Sequence, residues 1–183
     1  IAAMVIGLIA FGTVQGVVLP LALSALGIIA SIIGIFFVRA KDDKHLFNAM
    51  NNGLYVSTIL AAVFSYFYIN YQGIKIGVFY AALAGLVVGV VIGRFTQYYT
   101  SNKYNPTKSI AAAARTGAGT NIIQGLAVGM MSTLIPVFSV SMAVLIAYKF
   151  AGLYGIAIAG VGMLMTLGFT LAIETYGAVA DNA

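Results

Sequence analysis

Hydrophobic positions in this chain do not alternate with polar ones at the period of a strand or of an amphipathic surface helix. They run on without interruption. Residues 1–38, 46–74, 76–93, 116–148 and 150–173 contain no charged side chain, and each run reaches the ~18 residues at which an apolar stretch reads as a membrane-crossing helix. Polar residues collect between the runs. The pattern predicts an all-α, polytopic membrane helix bundle with five complete spans at about 17–38, 47–68, 76–99, 120–148 and 153–177, preceded by a partial span over residues 1–11. The whole chain, 1–183, reads as one transmembrane domain.

The connections carry their own signals. Residues 12–16 break the first run with two glycines and Gln15. A compact charged turn, 39–45, holds Arg39, Lys41, Asp42, Asp43, Lys44 and the lone His45, most simply a solvated residue. Gln72, Gly73 and Lys75 form a short return, and 100–116 is the longest polar connection. Within it, 109–115 has the composition of a short interfacial helix. Pro136 predicts a bend in the fourth span, because its ring removes a backbone hydrogen bond. Lys149 to Gly152 reads as a brief turn into the fifth.

Composition agrees with the pattern. The chain is 62% hydrophobic and 7% charged, with a mean hydropathy of +1.04, far from the roughly quarter-charged make-up of soluble domains. The absence of cysteine excludes a disulfide framework and thiolate-ligated metals, and one histidine excludes a His-rich centre. A net charge of +5 would suggest nucleic acid in a soluble chain. Here the cations sit between apolar runs, so membrane lipids with anionic headgroups, and membrane orientation, account for them instead. Counted on alternating sides of the spans, Arg39, Lys41, Lys44, Arg94, Lys103, Lys108 and Arg115 share one face, against Lys75 and Lys149 on the other. That asymmetry places the first face, and with it Asp181, in the cytoplasm. Tyrosines flank the spans at headgroup depth: Tyr66, Tyr68 and Tyr71 at one end, Tyr98, Tyr99 and Tyr104 at the other.

Small residues recur at four-residue spacing, Gly85, Gly89 and Gly93 on the third span and Gly125 and Gly129 on the fourth, which predicts close helix packing along those faces. Candidate chemistry is sparse. Glu174 and Asp181 are seven residues apart and share a face of a continued helix about 10 Å apart. Such a face either coordinates Mg2+ through hard carboxylate oxygens or is two solvated charges beyond the bilayer. Residues 115–121, Arg-Thr-Gly-Ala-Gly-Thr-Asn, open the fourth span; a helix cap at Thr120 and Asn121 explains them better than a phosphate loop, since the Gly-Lys-Ser/Thr ending is missing. Gln97, near the inner end of the third span, reads as an interhelical or interfacial hydrogen-bonding group. No nucleophile with a base, zinc spacing or dinucleotide fingerprint is present.

Three stretches, in this order and spacing, carry a family resemblance. The first is Gln97-Tyr98-Tyr99-Thr100-Ser101 followed by Asn105-Pro106. The second runs from Arg115 through Thr120, Asn121 and Gly125 to Met130. The third is Leu171-Ala172-Ile173-Glu174-Thr175-Tyr176-Gly177-Ala178-Val179-Ala180-Asp181-Asn182-Ala183. Together they resemble the middle of a membrane-integral, ion-pumping inorganic pyrophosphatase, from late in that family's sixth helix through its eleventh. The resemblance implies a homodimer of about sixteen helices per subunit that binds Mg2+-pyrophosphate at the cytoplasmic face and couples its hydrolysis to export of H+ or Na+. Mg2+ is the implied metal and K+ a further candidate cation. Asp181 and Asn182 match the start of the family's Asp-Asn-Ala-Gly-Gly motif, and Asp181 is thereby the expected catalytic and metal-holding carboxylate. Glu174 matches a second catalytic position that is usually aspartate. Arg115 and Gln97 match supporting positions, the latter often glutamate in plant members. Two carboxylates and one arginine do not make a pyrophosphatase site, so the piece alone is expected to be inactive. The rival expectation is a non-enzymatic transporter or channel subunit that uses Gln97 and the glycine faces as a permeation or packing surface.

Overall fold

A computed structural model describes residues 1–39, 46–172 and 175. The described residues are helical throughout, with no strand among them. Seven helices follow in order: α1 (Ala2–Phe11), α2 (Val14–Ile35), α3 (Leu46–Tyr71), α4 (Ile76–Thr100), α5 (Asn105–Ala113), α6 (Ala118–Ser132) and α7 (Leu134–Leu164), after which residues 167–172 are again helical. Four stretches are long and apolar enough to cross a bilayer: Val14–Ile35, Ala49–Tyr71, Ile76–Ala113 and Ala118–Ala172. The last holds 55 residues, about 80 Å if it were straight and more than twice the ~30 Å hydrocarbon core.

It is not straight. Ala151 (φ −144°, ψ 19°) and Gly152 (φ 60°, ψ −148°) leave the helical region inside α7. A Cβ on Gly155 would collide with the carbonyl of Ala147, and residues eight apart cannot meet on a continuous helix, where they are separated by ~12 Å. The chain therefore doubles back here into a tight helical hairpin, at the turn expected between Lys149 and Gly152. Gly152 supplies the left-handed φ that a side chain would disfavour. The break attributed to Pro136 falls three residues earlier, at Thr133. Pro136 cannot donate to the carbonyl of Ser132, and helix α6 ends at Ser132 with Thr133 turning the chain into α7.

The chain forms two compact units, one of residues 1–90 and 143–183, the other of residues 91–142. In the first, α2 packs on α1 and α3. Its surface inverts that of a soluble protein. Leu21, Ile28, Ile29 and Ile32 of α2 are exposed, while its buried positions hold Leu19, Pro20 and Leu23 beside Gly16, Gly27, Ala30, Ser31 and Gly34. Small residues let backbones approach, and large aliphatic ones meet lipid as readily as protein. Gly85 lies against the Ala159 backbone and Gly162 against that of Ala82, so α4 and the second arm of α7 interlock glycine to backbone in both directions. Gly89 stands next along the same face, where a Cβ would lie 3.0 Å from the Met163 carbonyl. The expected packing stripe stops there. A Cβ on Gly93, Gly125 or Gly129 meets nothing within 4 Å, so the four-residue spacing marks a contact at only two of the five glycines that carry it.

Pro20 lies inside α2 and cannot donate to the carbonyl of Gly16, four residues back. The Tyr154 hydroxyl donates to that carbonyl instead, at 2.9 Å, from a side chain only 2% exposed. The Tyr154 ring meets Phe11 edge-on with centroids 4.9 Å apart, which joins the end of α1, the start of α2 and the second arm of α7. Tyr154→Phe should destabilise the protein by about 1–3 kcal/mol, the cost of stranding a buried acceptor. In a Pro20→Ala background, which restores the missing N–H, the same substitution should cost markedly less. A double-mutant cycle read by thermal unfolding checks this; equal costs in both backgrounds would show that the hydroxyl does not replace the proline's donor.

Candidate functional site

Glu174, Asp181 and Asn182 lie outside the described residues, as do the charged turn 40–45 and His45. The helix end that leads toward the two carboxylates is described through residue 172. Met165 and Thr166 form a turn, closed by Met165 N–H to Gly162 O (3.2 Å) and Phe169 N–H to Thr166 O (3.1 Å). Three-residue closures of this kind tighten the backbone. The fifth span is therefore not one uniform helix from 153 onward, and facing relationships extrapolated along it shift at this point. Phe169, 1% exposed, anchors the helical residues beyond the turn; a Cβ on Gly53 would lie 2.6 Å from its ring.

The two supporting positions fall in the second unit. Arg115 is exposed just beyond α5, where its N–H bonds to the Ala112 carbonyl at 3.2 Å. Gln97 is half-buried on α4 and accepts a hydrogen bond from the Arg94 guanidinium, Nη1 to Oε1, at 3.3 Å. Gln97 thus has an arginine partner one turn away on its own helix, not the interhelical partner that its position suggested.

Residues 115–121 form neither a phosphate loop nor the expected side-chain cap. Gly117 occupies the cap position of α6 with φ 138°, a conformation that favours glycine, and no side chain caps it. Thr120 lies inside the first turn. Its hydroxyl donates back to Gly117 O at 2.9 Å and stands 2.7 Å from the Thr116 hydroxyl. The correction has a simple cause: glycine at 117 lets the backbone reverse three residues before the residue type best suited to capping. The interfacial helix expected at 109–115 forms as α5, starting earlier because Pro106 suits a first turn. Helix α5 is tied to α6 by Gln124 Nε2 donating to Ser109 Oγ (3.0 Å), and to the end of α4 by Thr107 Oγ1 donating to Tyr99 O (3.2 Å). These two side-chain bonds have no periodic signal in the sequence.

Among the described residues no group of three or more His, Cys, Asp or Glu side chains could hold a metal ion. Glu174 and Asp181 have the donor chemistry that suits Mg2+, hard carboxylate oxygen. Two such groups are fewer than the ion's octahedral shell, so water, substrate oxygens or other residues complete it. Buried serines of the first unit include Ser57, whose Oγ donates to Gly53 O (2.9 Å), and Ser65, whose Oγ donates to Ala61 O, each within its own helix, while the buried Ser31 hydroxyl has no partner among the described residues.

Large aliphatic side chains on the outside, small residues at the close helix contacts and stretches of bilayer length define the class: this is an integral, multi-pass membrane protein. Comparison with known proteins narrows it. The chain matches the family described as inorganic H+ pyrophosphatase across residues 1–183, and it belongs to that family. It is 45% identical to a K+-insensitive pyrophosphate-energized proton pump of Moorella thermoacetica, with 100% of this chain and 29% of that protein covered. It is 42% identical to a putative K+-stimulated pyrophosphate-energized sodium pump of Clostridium tetani, covering 100% of this chain and 28% of that protein. A K+-insensitive proton pump of Methanosarcina mazei is 39% identical, with 100% and 29% covered. The chain therefore spans under a third of the length of these relatives.

Proposed function

We propose that the whole protein hydrolyses Mg2+-pyrophosphate at the cytoplasmic membrane face and couples the reaction to export of H+ or Na+. The observation that carries this reading is the family match over every residue of the chain, joined by relatives whose names describe pyrophosphate-energized pumps. The proton and sodium pumps stand at 45% and 42% identity, and so close a pair does not favour either ion. The same names divide between K+-stimulated and K+-insensitive forms, which keeps K+ as a second cation to test. Pyrophosphate hydrolysis needs metal ions to neutralise phosphoryl oxygens and a positioned water. Asp181 is the carboxylate that would hold Mg2+-pyrophosphate, with Asn182 beside it, Glu174 about two turns deeper and Arg115 and Gln97 in support. The chain's own two carboxylates are too few for the reaction, so this piece is inactive by itself and works within a homodimer of the full-length protein.

The test uses full-length protein in inverted membrane vesicles. Phosphate release from Mg2+-pyrophosphate should accompany inward movement of H+ or Na+. In the same vesicles, single cysteines at Asn102 and Gln72 should label from opposite sides, with Asn102 cytoplasmic. Hydrolysis without ion movement would reject coupling, and labelling of both cysteines from one side would reject the topology.

A further inference from the structure

Residues 91–142 contain four cations, Arg94, Lys103, Lys108 and Arg115, and no acidic residue. Three of the four lie within four residues of one or other of a pair of contacting rings. Arg94 and Tyr98 are four apart on α4 and share a face. The Tyr98 ring lies 5.1 Å from that of Tyr104, which immediately precedes α5, and 5.2 Å from that of Tyr99. Lys103 places its ammonium 6.0 Å from the centre of the Tyr104 ring. Lys108 follows one turn later, its N–H donating to the Tyr104 carbonyl at 3.3 Å. Gln97 holds the Arg94 guanidinium to its own helix. All three cations are exposed, and Tyr98 is 40% exposed.

We propose that Arg94, Lys103 and Lys108, set around the Tyr98–Tyr104 pair, form a seat for the headgroup of an anionic phospholipid. The cations offer charge-assisted donors to a phosphate, and the rings have the amphipathic character of side chains that settle at headgroup depth. In the chain the seat follows directly on residues 76–93, an uncharged run of membrane length, as headgroup-depth residues do. A free phosphate would call for enclosed donors that replace its hydration, whereas this surface is open. An orientation signal alone needs only a count of charges and leaves the ring pair and the Gln97 tether unexplained. The inference rests on α4 crossing a bilayer and is independent of pyrophosphate hydrolysis.

Full-length protein in nanodiscs of equal phosphatidylcholine and phosphatidylglycerol provides the test, with retained lipids counted by native mass spectrometry. Wild type should keep phosphatidylglycerol in preference to phosphatidylcholine, and R94Q/K103Q/K108Q should lower that retention about fivefold, as loss of juxtamembrane basic residues does. K75Q/K149Q, at the other end of the spans, should leave it unchanged. Should the triple variant not assemble, K103Q/K108Q, confined to exposed side chains, should still lower retention at least about twofold. Undiminished phosphatidylglycerol on the assembled variants overturns the proposal, as does its displacement from wild type by excess inorganic phosphate. Pyrophosphate hydrolysis followed in parallel separates the two readings: a wild type that keeps the lipid but hydrolyses nothing refutes the pump alone.

Discussion

Asp181→Asn in the full-length protein should cut phosphate release from Mg2+-pyrophosphate by about a hundredfold or more, with expression and membrane insertion intact. The substitution keeps the shape of the side chain and removes its charge. A carboxylate near a metal-bound polyphosphate contributes through that charge, and removing one partner from a metal's surroundings costs roughly 10–100-fold in affinity or activity; a direct ligand lies at the upper end. Lower metal affinity should also appear as a higher Mg2+ requirement for whatever activity remains. Glu174→Gln should have a smaller effect, roughly tenfold, because its side chain is one methylene longer than the aspartate that the family resemblance leads one to expect there. Measuring phosphate release over a Mg2+ series, alongside ion uptake, distinguishes the two. Near-normal hydrolysis by Asp181→Asn would falsify its assignment to the site.

The second large effect is structural. Gly85→Leu should prevent assembly of the full-length protein, because its first side-chain carbon would overlap the Ala159 carbonyl, and backbone cannot swing aside as a side chain can. Even Gly85→Ala should cost several kcal/mol, since overpacking by a methyl group into mobile side chains already costs about 1–3. Gly89→Ala, with its Cβ 3.0 Å from the Met163 carbonyl, should be milder. Gly93→Ala meets nothing within 4 Å and should be neutral or slightly stabilising, given the ~0.5–1 kcal/mol that alanine gains over glycine in a helix. Thermal unfolding of the detergent-solubilised variants should rank them in that order. A Gly85→Leu protein that assembles and melts like wild type would remove the interlock between α4 and α7.

That graded series shows where sequence reading stops. Run length was enough to find the long helices, because a backbone in lipid has few ways to satisfy its polar groups. Pro136 and Gly152 announced two of the three interruptions of the 55-residue stretch, the first displaced to Thr133, next to the Ser132 carbonyl that a proline at 136 leaves without its donor; nothing announced the third, at Met165 and Thr166. Spacing could not say which glycines touch a neighbour: Gly85, Gly89 and Gly93 share a period, yet contact depends on where another helix lies. The Tyr154–Gly16 hydrogen bond joins residues 138 apart, and only the missing donor of Pro20 hinted that a partner was needed. The candidate site was legible in another way. Asp181, Glu174 and Asn182 drew attention through a motif shared with a family, and nothing in the local pattern ranks them above any other charges at a helix end.

The buried serines of α3 have a further consequence. Ser57 and Ser65 are fully buried, and each turns its proton onto the carbonyl four residues back in its own helix. The Ser65 hydroxyl also stands 3.8 Å from the Met165 sulfur, and the buried core of the first unit, with Leu19, Leu23, Ile69 and Leu86, is largely aliphatic. An ion stripped of water among such side chains faces a penalty of tens of kcal/mol. The aliphatic part of this core therefore opposes the passage of charge. In any protein that spans a membrane, such packing keeps the solutions on its two sides apart.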